Sequence, residues 1–188
     1  MMLAAFEKIL GWPPPAWVRK VEAALIMGVF AEAFDVAPPA CEDLSADEAL
    51  SAFREFTAAC MEAALADEHV AVAYRERLGA GGLALGERLR STLRVRPTSA
   101  FPFAQFLYRG IGIELTSDGE GGLRFGPCSF SQRYSPQCCW FMSAFDEGFL
   151  RGVLGLADAR LTFSCRLTQG DTCCNAQFGA TDQEEGTS

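Results

Sequence analysis

The 188-residue chain has one histidine, His69. It sits in the N-terminal half, so a Cys–His dyad depends on that region packing against whatever site the rest of the chain forms. No stretch reaches the roughly 18 apolar residues of a membrane span. The best candidate, Val21 to Phe34, is broken by Glu22, Gly28 and Glu32. Basic charge is scarce: 16 Lys and Arg face 24 Asp and Glu, a formal net charge of -8. That balance argues against nucleic acid, where clustered cations supply most of the affinity, and against an anionic membrane surface. The local run Arg88, Arg90, Arg94 and Arg96 reads as a solvated helix end and loop. A secretory leader is not evident, because Met1 to Trp12 carries Glu7 and Lys8 inside its apolar run and lacks a small-residue cleavage site. The expected compartment is therefore the cytoplasm, where thiols stay reduced. There is no internal repeat and no Cys-x-x-Cys knuckle.

Cysteine is abundant instead. Six of the eight, Cys128, Cys138, Cys139, Cys165, Cys173 and Cys174, fall in the last third of the chain. In a reducing compartment they read as free thiols, ligands or catalytic groups before disulfides. Cys41 and Cys60 lie in helical or connecting sequence and read as core residues.

The order of elements predicts an α+β fold: N-terminal helices, then a small antiparallel sheet with a helix packed across one face. Residues 1–96 form the helical part, 97–180 a cysteine-rich α+β part of the same domain, and 181–188 an acidic, disordered tail. Met1 to Leu10 reads as a short helix ended by Trp12-Pro13-Pro14-Pro15. Ala16 to Phe34 shows helical spacing. Ser45-Ala-Asp-Glu48 is a capping box that starts another helix, running to about Ala66. Glu68 to Leu78 reads as a helix stopped by Gly79 and the Gly81-Gly82 pair, with Leu83 to Leu93 helical again. Beyond Pro97, Gly110 to Leu115 alternates as a strand. It turns at Ser117 to Gly122 and returns from Leu123. Gln137 to Leu156 reads as a helix. Ala159 to Thr168 and Cys174 to Phe178 read as strands around a Gly170-Asp171 turn.

Adjacent cysteines cannot share a site. Cys173 and Cys174 in a strand point to opposite faces, and Cys138 and Cys139 at a helix start diverge by about 100°. A helix N-terminus favours the thiolate, so Cys138 or Cys139 is the best candidate nucleophile. Asp146 or Glu147 on the same helix would then handle protons. Trp140 and the neighbouring aromatics are mostly core, with a subset available to line a pocket. Four sulfurs, Cys128, Cys139, Cys165 and Cys174, form the alternative: a zinc or iron–sulfur site.

One arrangement resembles a known pair of families: an isolated Cys128, a helix opened by Cys138 or Cys139, a strand, then Gly170-Asp171-x-x-Cys174 followed by Phe178. It looks like the L-2-amino-thiazoline-4-carboxylic acid hydrolase family and the related 4-vinyl reductase domain, over roughly 110–178. The hydrolase-like pattern often has an acid one turn after the helix cysteine, where this chain has Met142, and an aromatic two residues after the last cysteine, where it has Ala176. The resemblance implies hydrolysis of a carbon–nitrogen bond in a small cyclic sulfur-containing amidine. Cys139, Cys174 and Asp146 would be catalytic. Cys128, Cys138, Cys165 and Trp140 would line the substrate site, and Arg133 or Arg166 would hold a carboxylate. The vinyl-reductase likeness implies instead a non-enzymatic module for a small ligand, a tetrapyrrole or a metal. The expected partner is a small molecule, and a homodimer would form through the N-terminal helices.

Overall fold

A computed structural model describes residues 12–156 and 158–180. The helix expected over 1–10 and the tail at 181–188 lie outside them. The fold is α+β, as the order of elements predicts. Among the described residues five helices run α1 Ala16–Phe34, α2 Ala46–Ala64, α3 Glu68–Thr92, α4 Pro97–Gly110 and α5 Pro136–Leu154. The strands are β1 Ile113–Ser117, β2 Gly122–Cys128, β3 Ala159–Cys165 and β4 Cys174–Ala180. They form one antiparallel sheet in the order β1-β2-β4-β3. Among the described residues no helix is long and apolar enough to cross a membrane.

The capping box forms as expected. The Ser45 hydroxyl accepts the Glu48 N–H, and the Glu48 carboxylate accepts the Ser45 N–H at 2.8 Å. Three expectations do not hold. Residues 68–92 are one continuous helix, not two separated at Gly79 to Gly82. The glycines do not stop the helix because α5 packs directly on them. A Cβ on Gly148 would sit 2.0 Å from the Gly79 carbonyl oxygen, and one on Gly152 would sit 2.4 Å from that of Leu83. In the other direction, a Cβ on Gly86 would lie 2.4 Å from the Phe149 carbonyl oxygen. Backbone-to-backbone packing recovers in dispersion what glycine loses in helix propensity. The second difference is at 97–112. The aromatic stretch is helix α4, started by Pro97 in its first turn, so β1 begins only at Ile113. The strand expected from Ala159 to Thr168 likewise ends at Cys165, and Leu167–Gln169 form a 3-10 turn.

The sheet has two distinct faces. Leu115 pairs with Phe125, and Phe125 with Cys174; Leu123 pairs with Ala176, and Ala176 with Phe163. These side chains face the helices and join one core with Phe141, Phe145 and Phe149 of α5. Thr116, Arg124, Thr162, Asn175 and Gln177 alternate with them and are exposed. This core runs from Ala23 on α1 to Ala176 on β4, so the helical part and the sheet share it.

Candidate functional site

Two helices and the end of the sheet bring together an acid, a phenol and several thiols. On α5, Cys139 and Asp146 are two turns apart and so share a face. The buried Tyr108 of α4 donates its hydroxyl to Asp146 Oδ1 at 2.7 Å. Asp146 is half-buried by area, yet its carboxyl lies deep enough that burial pushes its pKa up to about 7. The Tyr108 hydrogen bond works in the opposite direction, and desolvation wins. Tyr108 itself is held well above the usual phenol range by burial and by the Asp146 charge.

Three half-buried thiols feel the Asp146 charge. Burial drives Cys128 up to about 12, with Asp146 and Cys139 adding to the rise, although the Phe130 and Ser131 N–H groups oppose it. Burial likewise pushes Cys139 up to about 11, and Cys174 and Asp146 add to it. The Thr168 hydroxyl beside Cys139 lowers that value somewhat. Its geometry falls short of a hydrogen bond, and Thr168 Oγ1 is buried without a partner. Cys174 is raised by burial too. The Leu167 N–H, donating to its Sγ at 3.3 Å, and the Arg166 charge both favour its thiolate.

The expected activation of a thiol at the start of α5 is not found. Ser135 caps the helix: its hydroxyl accepts the Cys138 N–H and its carbonyl the Cys139 N–H. Those amides are spent on the cap and do not reach a sulfur, so burial dominates Cys139. Cys138 is wholly enclosed in the core at 0% exposure and is not available as a substrate-lining residue. Strand alternation does not apply to Cys173 and Cys174, because β4 begins only at Cys174 and both thiols are at least partly covered. Cys174 faces the core opposite Phe125, while Cys173 is covered by Gly126 and donates to Asn175 Oδ1 at 3.4 Å. The Cys165 thiol donates to the Cys173 carbonyl at 3.4 Å, and its charged form would act on Cys174.

The other expected residues divide clearly. Trp140 is half-buried at the site's edge, and its carbonyl accepts the Arg75 Nε–H at 3.1 Å. Arg166 stacks over Phe163 at 5.3 Å. Arg133 is elsewhere: it is exposed and lies 4.0 Å from Glu55 on α2. His69 is exposed in the first turn of α3. Glu147 lies 3.8 Å from Arg151 and so belongs to an ion pair. Cys41 and Cys60 are core residues, as expected. All eight cysteines are free. Among the described residues, no group of three or more His, Cys, Asp or Glu side chains is disposed to hold a metal ion, so Cys128, Cys139, Cys165 and Cys174 do not form a ligand set.

Sequence reasoning passed over Tyr108, Thr168 and Arg75 as site residues. Tyr108 read as one aromatic among many. Nothing in Thr168 or Arg75 separates them from ordinary surface positions until α3, α5 and the 3-10 turn are packed together. Compared with family models, with curated proteins and with solved structures, the chain shows no significant match.

Proposed function

We propose that the protein is a cytoplasmic hydrolase that cleaves a carbon–nitrogen bond in a small cyclic sulfur-containing amidine, with Cys174 as nucleophile and Asp146 as the proton-transfer group. The observation that carries this reading is the Asp146 carboxyl. With a pKa of about 7 it is half ionised at neutral pH, so it can take a proton and return it in one cycle. It also acts electrostatically on Cys128, Cys139 and Cys174. Cys174 is the nucleophile of choice because a backbone N–H and a guanidinium support its anion. The resemblance carried by Gly170-Asp171-x-x-Cys174 supports the same assignment. Eight free thiols suit a reducing compartment.

In the first half-reaction the Asp146 carboxylate accepts the Cys174 thiol proton. Sulfur bonds to the amidine carbon, and an electron pair moves onto nitrogen. Collapse breaks the carbon–nitrogen bond while the Asp146 carboxylic acid protonates the departing nitrogen. Water then attacks the sulfur-bound carbon, Asp146 takes its proton, and the carbon–sulfur bond breaks to restore Cys174.

The test is turnover of L-2-amino-thiazoline-4-carboxylate by wild-type protein, Cys174→Ser and Asp146→Asn. Each variant should fold and lose about 100-fold or more of the rate. Full activity in Cys174→Ser removes the nucleophile. Binding of the compound by the wild type without turnover would favour a ligand-binding module.

A further inference from the structure

At the edge of the site, cations outnumber the carboxylates that face them. Arg75 reaches from α3 to α5, donating Nε–H to the Trp140 carbonyl and laying its guanidinium 4.8 Å from the Trp140 ring centre. The charges that act on it are the carboxylate of Glu147 and the guanidiniums of Arg160 and Arg166. Glu147 is already engaged by Arg151 at 3.8 Å. Arg166 has an aromatic support of its own in Phe163, and its Nε is buried without a hydrogen-bond partner. Its backbone N–H, not its side chain, is what the Asp171 carboxylate accepts, at 2.8 Å. Next along the chain, the buried Thr168 hydroxyl also lacks a partner, and it stands beside Cys139.

Two half-buried guanidiniums, each already placed over an aromatic ring, cost little further ordering when they grip a ligand. Buried donors without partners are expensive to maintain unless something accepts from them. The orphaned Arg166 Nε and the orphaned Thr168 hydroxyl both lie next to the thiols, so an acceptor that satisfied them would be held beside the reacting atoms.

We propose that Arg75, Arg166 and Thr168 form the recognition site for a carboxylate of the substrate, set against Trp140 and beside Cys139 and Cys174. The assignment rests on the hydrolase reading for the word substrate, but the site itself is a binding claim. A carboxylate suits it better than phosphate. Guanidinium forks pair with either group, but phosphate carries close to two negative charges at neutral pH, and Arg160, the third cation that could balance them, is exposed and screened by solvent. The division of labour follows: Arg75, from the helical part of the chain, selects the ligand, and the cysteine-rich part carries the chemistry.

The experiment is an equilibrium titration that follows Trp140 emission in a Trp12→Phe, Trp17→Phe background, since both of those tryptophans are exposed. Three probes are used: L-2-amino-thiazoline-4-carboxylate, the same ring without its carboxylate (2-amino-thiazoline), and inorganic phosphate. The carboxylate should bind about 10- to 100-fold more tightly than the carboxylate-free ring. Arg75→Gln and Arg166→Gln should each erase most of that preference, and Arg133→Gln should leave it unchanged. Arg166→Gln is the cleaner variant, because its Nε has no internal hydrogen bond to lose. Equal affinity for the two rings overturns the proposal. So does an undiminished preference in Arg166→Gln, tighter binding of phosphate, or no binding of the carboxylate at millimolar concentration. Arginine-dependent binding without turnover would keep the anion site and remove the hydrolase. Turnover with a KM that neither arginine substitution changes would keep the hydrolase and remove the anion site.

Discussion

Tyr108 and Asp146 are joined by a 2.7 Å hydrogen bond between α4 and α5, with the phenol as donor. The bond stabilises the ionised carboxylate and so holds the Asp146 pKa below the value burial alone would give. Tyr108→Phe therefore raises the Asp146 pKa. The acid limb of a pH–rate profile that depends on ionised Asp146 should move to higher pH by about one unit. Carbon-13 NMR titration of the carboxyl checks the same shift without an assay. An unmoved limb and an unmoved titration would mean that the hydrogen bond does not tune this acid.

The raised Asp146 pKa also fixes the sign of a stability effect. In the unfolded chain the group ionises near pH 4, and in the folded protein near pH 7. Between those values the folded state holds a proton that the unfolded state has released. Stability therefore falls as pH rises through this window and is level above it. Asp146→Asn should remove that slope and gain on the order of 2 kcal/mol at pH 7.5, after allowance for partial exposure. Some slope will remain, because burial also raises Glu22 of α1 well above the ordinary carboxylate range. Denaturant melts at pH 5 and pH 7.5 measure both terms. If the two proteins lose the same stability between these pH values, Asp146 is not the titrating group.

Asp146 also sets thiol reactivity. Its negative charge is among the causes that raise Cys128, Cys139 and Cys174. Removing the charge lowers those pKa values and increases the thiolate fraction at fixed pH. Iodoacetamide should then label Cys139 and Cys174 a few-fold faster in Asp146→Asn than in wild type at pH 8. Cys138, fully enclosed, should remain unlabelled in both folded proteins. Mass spectrometry of the labelled peptides resolves each site. Equal rates at Cys139 and Cys174 would show that the carboxyl does not reach them.

Local signals were readable where local physics decides. The Ser45–Glu48 box begins α2, and the Gly170-Asp171 turn lies between β3 and β4. The sequence offered Asp146 and Glu147 alike as carboxylates on this helix, and packing separates them, since Asp146 meets Tyr108 and Glu147 meets Arg151. The Tyr108 partner of Asp146 was not legible, since it lies on another helix and read as one more aromatic ring. The thiolate expected at the start of α5 failed for a similar reason. Proximity to a helix end says nothing about whether the end amides are free, and Ser135 takes those of both Cys138 and Cys139. Arg133 and Arg166 were equivalent as charges in the sequence. Only packing sends one to Glu55 and the other to the thiols.

The α3–α5 contact shows why glycine in a sequence is ambiguous. Gly79 to Gly82 read as a stop because glycine is the usual residue just past a helix C-terminus, and inside a helix it costs about 1 kcal/mol relative to alanine. The compensating residues, Gly148 and Gly152, lie on a helix far along the chain, and no local rule links them. The two uses of glycine predict opposite mutational signs. At Gly148 a methyl group would fall 2.0 Å from the Gly79 carbonyl oxygen, so the helices must separate. Gly148→Ala should cost about 3 kcal/mol and loosen the helix that carries Cys139 and Asp146. At Gly28, exposed in α1, an added methyl meets nothing within 4 Å. Gly28→Ala should therefore stabilise by about 0.5 to 1 kcal/mol through helix propensity and the reduced entropy of the unfolded chain. Urea unfolding of both variants against wild type gives the two signs directly. A neutral Gly148→Ala would mean that α3 and α5 are not in backbone contact in solution, and the placement of the site on α5 would then need revision.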